Sequence, residues 1–195
     1  MTFRSLSLKF PSGVKAFGSD LSSEKVNRLM EIWRSSIEKI SFYLILAATR
    51  TAEVKGISAA GSTPVSRRYT AVADTELLLG GPLSPRKWQL PPLPGGVTPA
   101  LISYVSSQFI GIKPIVIPIG LSQSLSFPHL LIEPPSYGAA DCVSTGKSMS
   151  FDRVENLWNR GFSMGMRMEG PVLIAECVPG GTTTAYAVLS GLGLK

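Results

Sequence analysis

The stretch that decides the fold runs Pro171-Val172-Leu173-Ile174-Ala175, then Glu176-Cys177-Val178-Pro179-Gly180-Gly181-Thr182-Thr183-Thr184, then Ala185-Tyr186-Ala187-Val188-Leu189. Its first five residues form a continuous apolar run of strand length, the pattern of a strand covered on both faces of a parallel sheet. The next nine make a glycine-rich turn with three hydroxyls, and the last five open a helix. Strand, tight turn and helix in that order form the repeating unit of α/β proteins. The turn also suggests chemistry. A helix N-terminus carries free backbone N–H groups and the positive end of the helix dipole. Neighbouring glycines let an anion approach those groups.

The same alternation continues upstream. Phe42 to Ala48 is a second apolar run, Pro114 to Ile119 a third with β-branched Ile115, Val116 and Ile117, and Leu130 to Ile132 reads as a short strand. Between them lie helical patterns. Val26, Leu29, Met30, Trp33, Ile37 and Ile40 make one stripe over residues 24–40. Ala71 to Leu79 is a short helix, and Gly80 to Pro94 is loop. Thr98 is a good N-cap before Pro99, so a helix should run to about Phe109. Ser150-Phe151-Asp152 opens another helix, with Val154, Leu157, Trp158 and Phe162 on one face. Trp33 and Trp158 are expected in the core. The fold class is therefore α/β: a Rossmann-like parallel sheet flanked by helices. Ligands in such sheets bind beyond the carboxyl ends of strands, where the segments after Ala48 and Ala175 fall. Residues 1–21 read as an N-terminal extension and 22–195 as an α/β nucleotide-binding domain. The first 19 residues lack acids and contain Arg4, Lys9 and Lys15. They faintly resemble a transit peptide, but an extended segment is the favoured reading.

Composition limits the function classes. Of 195 residues, 44% are hydrophobic and only 16% charged, below the roughly 25% of average domains. The mean hydropathy is +0.22. A largely buried α/β core or apolar surface hidden against another copy would explain both. No apolar run approaches the roughly 20 residues of a membrane span. The net charge of +6 comes from scattered basic residues, with pairs such as Arg67-Arg68 and Arg86-Lys87. Without an aromatic-studded basic motif, anionic small ligands are a more economical partner than nucleic acid. Cys142 and Cys177 are isolated thiols, so a reducing, cytoplasmic setting is expected. One histidine, His129, and two separated cysteines assemble neither a metal site nor a Ser-His-Asp triad. No cofactor is expected. Met164, Met166 and Met168 read as packing or helix-end residues.

Two loops could carry chemistry. Thr49 to Pro64 is rich in glycine and alanine, with Arg50, Glu53, Lys55, Ser58, Ser62 and Thr63. It is either a close-packed ligand loop or an ordinary surface connection. Glu176 to Thr184 is not a Walker A loop, because the Gly-Lys-Ser/Thr ending is missing; Gly146-Lys147-Ser148 has that tripeptide without the upstream glycine. Phosphate binding by Gly180, Gly181 and the hydroxyls is favoured over a helix capped by Thr182 or Thr183. Glu176 is placed to meet ribose hydroxyls or to serve as a surface residue. Asp74, Glu133 and Asp141 read as structural carboxylates.

At these loops the sequence resembles a known family. Thr51-Ala52-Glu53-Val54-Lys55-Gly56-Ile57-Ser58-Ala59-Ala60-Gly61-Ser62-Thr63-Pro64, Tyr69 to Glu76, and Glu176 to Ala185 are similar to archaeal and cyanobacterial relatives of nicotinate-nucleotide–dimethylbenzimidazole phosphoribosyltransferase. Thr98 to Ile102, Asp141 and Thr145-Gly146-Lys147 are weaker echoes. The resemblance spans about residues 42–193. It implies an α/β fold with a parallel sheet, a homodimer, and transfer of phosphoribose from nicotinate mononucleotide to a benzimidazole-type base for the lower ligand of cobalamin. The family's loop has the form Glu-x-x-x-Gly-Asn-Thr-Thr. Glu176, Gly180, Thr182 and Thr183 match it, and Gly181 replaces Asn. Thr184 extends the hydroxyl run. Gly56-Ile57-Ser58 resembles the family's Gly-Val-Ser segment near the nucleotide. Family members are longer, and their catalytic glutamate lies near the C-terminus. The resemblance thus implies an incomplete version of the fold whose catalytic glutamate lies beyond Lys195, with Glu53 a weak substitute. The alternative is a non-catalytic phosphate- or nucleotide-binding or assembly protein that keeps the fold.

Overall fold

A computed structural model describes residues 22–90, 97–121 and 123–194. The expected extension over 1–21 and the end of the Gly80–Pro94 loop lie outside these residues. Three strands form one parallel sheet: β1 (Ser41–Ala47) in the centre, β2 (Ile115–Ile119) on one side and β3 (Val172–Cys177) on the other. Leu44 of β1 faces Val116 of β2 and Ala175 of β3 in register. Six α-helices accompany the strands among the described residues: α1 (Ser23–Ser35), α2 (Pro64–Arg67), α3 (Thr70–Gly80), α4 (Pro99–Ile110), α5 (Phe151–Gly165) and α6 (Gly181–Gly191). The fold is α/β and Rossmann-like, with a parallel sheet flanked by helices.

The core forms where α3 crosses the sheet. Leu44 and Leu46 alternate along β1 and point to one face, as the two-residue strand period requires. They meet Val116 of β2, Leu121, and Val72 and Leu78 of α3. Helix α3 packs between the sheet and α4, and it is buried nearly all round. That explains why its sequence lacks a polar stripe. Two buried polar side chains pin it. The Glu76 carboxylate accepts from the Trp88 amide at 2.9 Å and the Ser126 hydroxyl at 2.6 Å. The Thr75 hydroxyl donates back to the Ala71 carbonyl at 2.8 Å.

Leu130 to Ile132 is not a strand; only the Leu130 amide reaches the sheet, donating to the Val116 carbonyl at 2.8 Å. A run of three apolar residues is too short to decide between a strand and a covering loop. The stripe over 24–40 breaks at Ser36, so α1 ends at Ser35 and a 3₁₀ turn follows over Ile37–Lys39. Strand β3 continues through Glu176 and Cys177, which pair with Ile45 and Leu46. Trp158 is 75% exposed, and Phe151, Val154 and Phe162 on the same face of α5 are exposed too. An amphipathic stripe shows that a face needs cover, not which element supplies it. Leu173 and Ile174, neighbours on β3 and therefore on opposite faces, are also exposed.

The start of α5 is fixed by a buried ion pair. Arg153 donates to both carboxylate oxygens of Glu133 at 2.9 and 2.6 Å and to the Gly138 carbonyl at 3.0 Å. Its guanidinium also lies 5.1 Å from the Tyr137 ring centroid. Both carboxylate oxygens and two of the three guanidinium nitrogens are thereby engaged, and such bonding is what makes a buried pair tolerable. Glu133 is thus a structural carboxylate, as its sequence context suggested. Asp141 makes an exposed contact with Arg50 at 3.5 Å.

Candidate functional site

The strand order β2-β1-β3 creates a switch point. The chain leaves β1 toward β2 and then crosses back to place β3 on the opposite side. The carboxyl ends of β1 and β3 are adjacent, yet their loops lead to different helices, which opens a crevice where α/β proteins bind ligands. A cavity of about 510 Å³ lies there. It brings together the two loops singled out in the sequence: Ile57 and Ser58 from the segment after β1, and Gly180, Gly181, Thr182 and Thr183 from the turn after β3.

The first loop is held from below. Arg67 donates to the Gly61, Ala52 and Val54 carbonyls at 2.8, 2.9 and 3.3 Å. Thr70 donates to the Ala60 and Ser66 carbonyls, and the Ala60 amide donates to the Ser58 hydroxyl at 3.2 Å. Thr63 and Ser66 form a capping box with Pro64 at the first turn of α2. Thr63 therefore serves the fold. Gly56 is exposed at the turn with φ +84° and does not line the cavity.

The second loop is tighter. Gly180, at φ +78°, is the N-cap of α6. Neither Thr182 nor Thr183 is the cap; both lie in the first helical turn. The Gly181 amide donates to the Val178 carbonyl at 2.8 Å and the Thr184 amide to the Gly180 carbonyl at 3.1 Å. Among the described residues, the Thr182 and Thr183 amides have no backbone acceptor, as expected for early helical positions. Thr184 is turned inward, its hydroxyl donating to the Gly180 carbonyl at 3.1 Å, and it does not line the cavity. Glu176 is exposed on β3 outside the lining, although a Cβ built on Gly181 would lie 3.6 Å from its Oε1. Glu53 also lies outside the cavity. Its carboxylate accepts from Arg68 at 3.0 and 2.8 Å, and this pairing raises the Arg68 pKa. Both of its oxygens are taken up by the guanidinium, and it faces away from the lining of this cavity.

The cavity also contains Asp74, which the sequence reads as a structural carboxylate, and two residues given no site role there. Asp74, from α3, lines it together with Thr98 and Cys177. The Thr98 hydroxyl donates to Asp74 Oδ1 at 2.6 Å while accepting from the Ala100 amide at 3.2 Å as the cap of α4. Cys177 Sγ lies 3.9 Å from Asp74 Oδ2. Burial pushes the Asp74 carboxyl above its ordinary value, opposed by the Thr98 and Cys177 hydrogen bonds. Burial also pushes the Cys177 thiol up to about 12, with Asp74 and Glu176 adding to it. Cys177 is therefore a protonated thiol, unsuited to nucleophilic attack near neutral pH. The available signal was an acid inside the apolar Ala71–Leu79 helix, where a carboxylate is costly without a purpose.

No protein-family model matches the chain. It is 55% identical over 185 residues to the UPF0284 protein of Prochlorococcus marinus (strain MIT 9313), covering 95% of this chain and 46% of that protein. It is 50% identical over 184 residues to the UPF0284 protein of Parasynechococcus marenigrum (strain WH8102), covering 94% and 47%. The chain has homologues among the UPF0284 proteins. A more distant UPF0284 protein, from Nostoc sp. (strain PCC 7120 / SAG 25.82 / UTEX 2576), is 41% identical over 159 residues, covering 79% and 41%. The chain spans about half the length of these UPF0284 relatives or less. Their name specifies no reaction. No helix among the described residues is long and apolar enough to cross a membrane.

Proposed function

We propose that the chain binds nicotinate mononucleotide or a related phosphoribosyl ligand, and that the protein transfers phosphoribose to a benzimidazole-type base in cobalamin lower-ligand synthesis. The observation that carries this reading is the meeting of the Ile57-Ser58 loop and the Gly180–Thr183 turn in one cavity at the β1/β3 switch point. The side-chain hydroxyls and free amides of Thr182 and Thr183, with the α6 dipole, suit the phosphate. The apolar walls suit a flat ring. Holding donor and acceptor together lowers the entropic part of the barrier. Calorimetric titration of the folded chain with nicotinate mononucleotide tests the first step. Saturable binding is expected, weakened at least tenfold by Thr182→Val with Thr183→Val. No binding at millimolar ligand would sink the phosphoribosyl reading for this chain.

A second reading is favoured by the exposed apolar side chains of α5 and β3: a non-catalytic assembly protein that pairs through this surface. A homodimer fits either reading. The double threonine variant separates them, since removing hydroxyls that hold no phosphate would leave nucleotide affinity as it was.

A further inference from the structure

A second cavity, of about 430 Å³, lies beyond the carboxyl ends of β1 and β2, and its lining shares only Pro179 with that of the β1/β3 cavity. Arg50 and Glu53 line it from the segment after β1, Arg67 and Arg68 from the end of α2, and Gln123 from the segment after β2. The one carboxylate in this lining, Glu53, is taken up by Arg68 at 3.0 and 2.8 Å. Arg67 is half-buried and has no carboxylate partner among the described residues. Its Nε and Nη1 donate to the Gly61, Ala52 and Val54 carbonyls. Those bonds fix the guanidinium without neutralising it, and Nη2 has no acceptor among the described residues. Arg50 has only an exposed contact with Asp141 at 3.5 Å. Across the cavity, Oε1 of Gln123 is buried and has no hydrogen-bond partner among the described residues. A half-buried cation without a counter-charge and a buried acceptor without a donor are each costly. One molecule with anionic oxygens and a hydroxyl group would satisfy both.

We propose that this cavity is a second ligand site, which takes a small hydroxylated phosphomonoester. Charge favours phosphate over carboxylate. Arg67 and Arg50 together call for a dianion, and a phosphomonoester carries about −1.5 to −2 near neutral pH. A carboxylate would leave one of the two guanidiniums uncompensated. A guanidinium held in one orientation also matches the paired oxygens of a phosphate. The buried Gln123 oxygen then accepts from a ligand hydroxyl, which separates a sugar- or polyol-type ester from a plain alkyl one. The volume lies within the range of small-molecule sites, roughly 300–1,000 Å³. Nothing in this site uses the α6 amides, so it stands apart from the phosphoribosyl reading above.

The test titrates three probes calorimetrically into the full chain: glycerol 3-phosphate, n-propyl phosphate, which lacks the hydroxyls, and glycerate, which has a carboxylate in place of the phosphate. Glycerol 3-phosphate is expected to bind saturably, at least about fivefold more tightly than either of the others. Gln123→Leu should erase its advantage over propyl phosphate, and Arg67→Gln should weaken it at least about tenfold. Thr182→Val with Thr183→Val should change it by less than about twofold, because those residues line the other cavity. The proposal is overturned by an absence of saturable binding, by glycerate binding as tightly, or by a loss that follows the threonine pair and not Arg67→Gln. A preference over propyl phosphate that survives Gln123→Leu overturns it too. Should Arg67→Gln fail to fold, Arg50→Gln on an exposed side chain takes its place. About threefold weaker binding is then expected, and unchanged affinity overturns the site. Nicotinate mononucleotide binding in a chain that ignores glycerol 3-phosphate would remove this site and leave the phosphoribosyl reading in place.

Discussion

Replacing Gly180 with alanine probes the geometry on which the cavity depends. Gly180 sits at φ +78°, a conformation that costs an L-residue roughly 1–2 kcal/mol. A Cβ there would also lie 2.9 Å from the Ala52 amide nitrogen and 3.1 Å from its Cα. Those are backbone atoms of a turn whose Thr51 is buried and bonded to the Val143 amide at 3.0 Å, so the contact cannot be relieved by rotating a side chain. Forcing excess volume into a packed site costs roughly a further 1–3 kcal/mol. Gly56→Ala is the internal control. Its φ is +84°, but nothing lies within 4 Å of the added carbon. It should lose only the backbone part, about 1–2 kcal/mol. Urea unfolding followed by circular dichroism would measure both. With a slope of about 2 kcal/mol/M for a small protein, Gly180→Ala should unfold at least about 0.5 M earlier than Gly56→Ala. Equal midpoints for the two variants would refute the close approach of the β3–α6 turn to Ala52, and with it the placement of the Thr182 and Thr183 amides.

Further outcomes follow from the ion pair and from the two thiols. Arg153→Met strands Glu133, whose side chain is only 5% exposed, and should cost about 3–5 kcal/mol. Adding Glu133→Gln should recover part of that loss, and a double variant less stable than the single one would contradict the pair's assigned role. The cysteines should separate in a maleimide labelling time course near pH 8. Cys142, whose thiol is held below its ordinary value chiefly by hydrogen bonds from Ser144, should react first. Cys177, pushed up to about 12 by burial, should react only on unfolding. Because folding raises the Cys177 pKa from about 9.0 to about 12, the folded state keeps its proton longer. That stability is present below pH 9 and is lost as pH rises toward 12. Cys177→Ala should flatten this part of the stability profile, and an unchanged slope would contradict the burial of the thiol.

The sequence by itself determined the fold class, because continuous apolar runs at Phe42–Ala48, Pro114–Ile119 and Pro171–Ala175 have few uses other than strands of a covered parallel sheet. It also determined the helix starts at Thr98 and Ser150, because capping is local chemistry between residues two or three apart. The turn from Val178 to Thr183 was legible for the same reason. What tertiary structure decided was which groups share a space. Asp74 stands 24 residues from Thr98 and 103 from Cys177, and no spacing rule connects them. Glu53 looked available until folding paired it with Arg68, 15 residues away. The stripe on α5 was correct as a pattern and misleading as a location, since Trp158 remains exposed. Periodicity and capping arise from interactions within one or two turns of chain, so a sequence contains them in full. A cavity arises where the loops after β1 and β3 diverge, and that divergence exists only once the strand order β2-β1-β3 has been built.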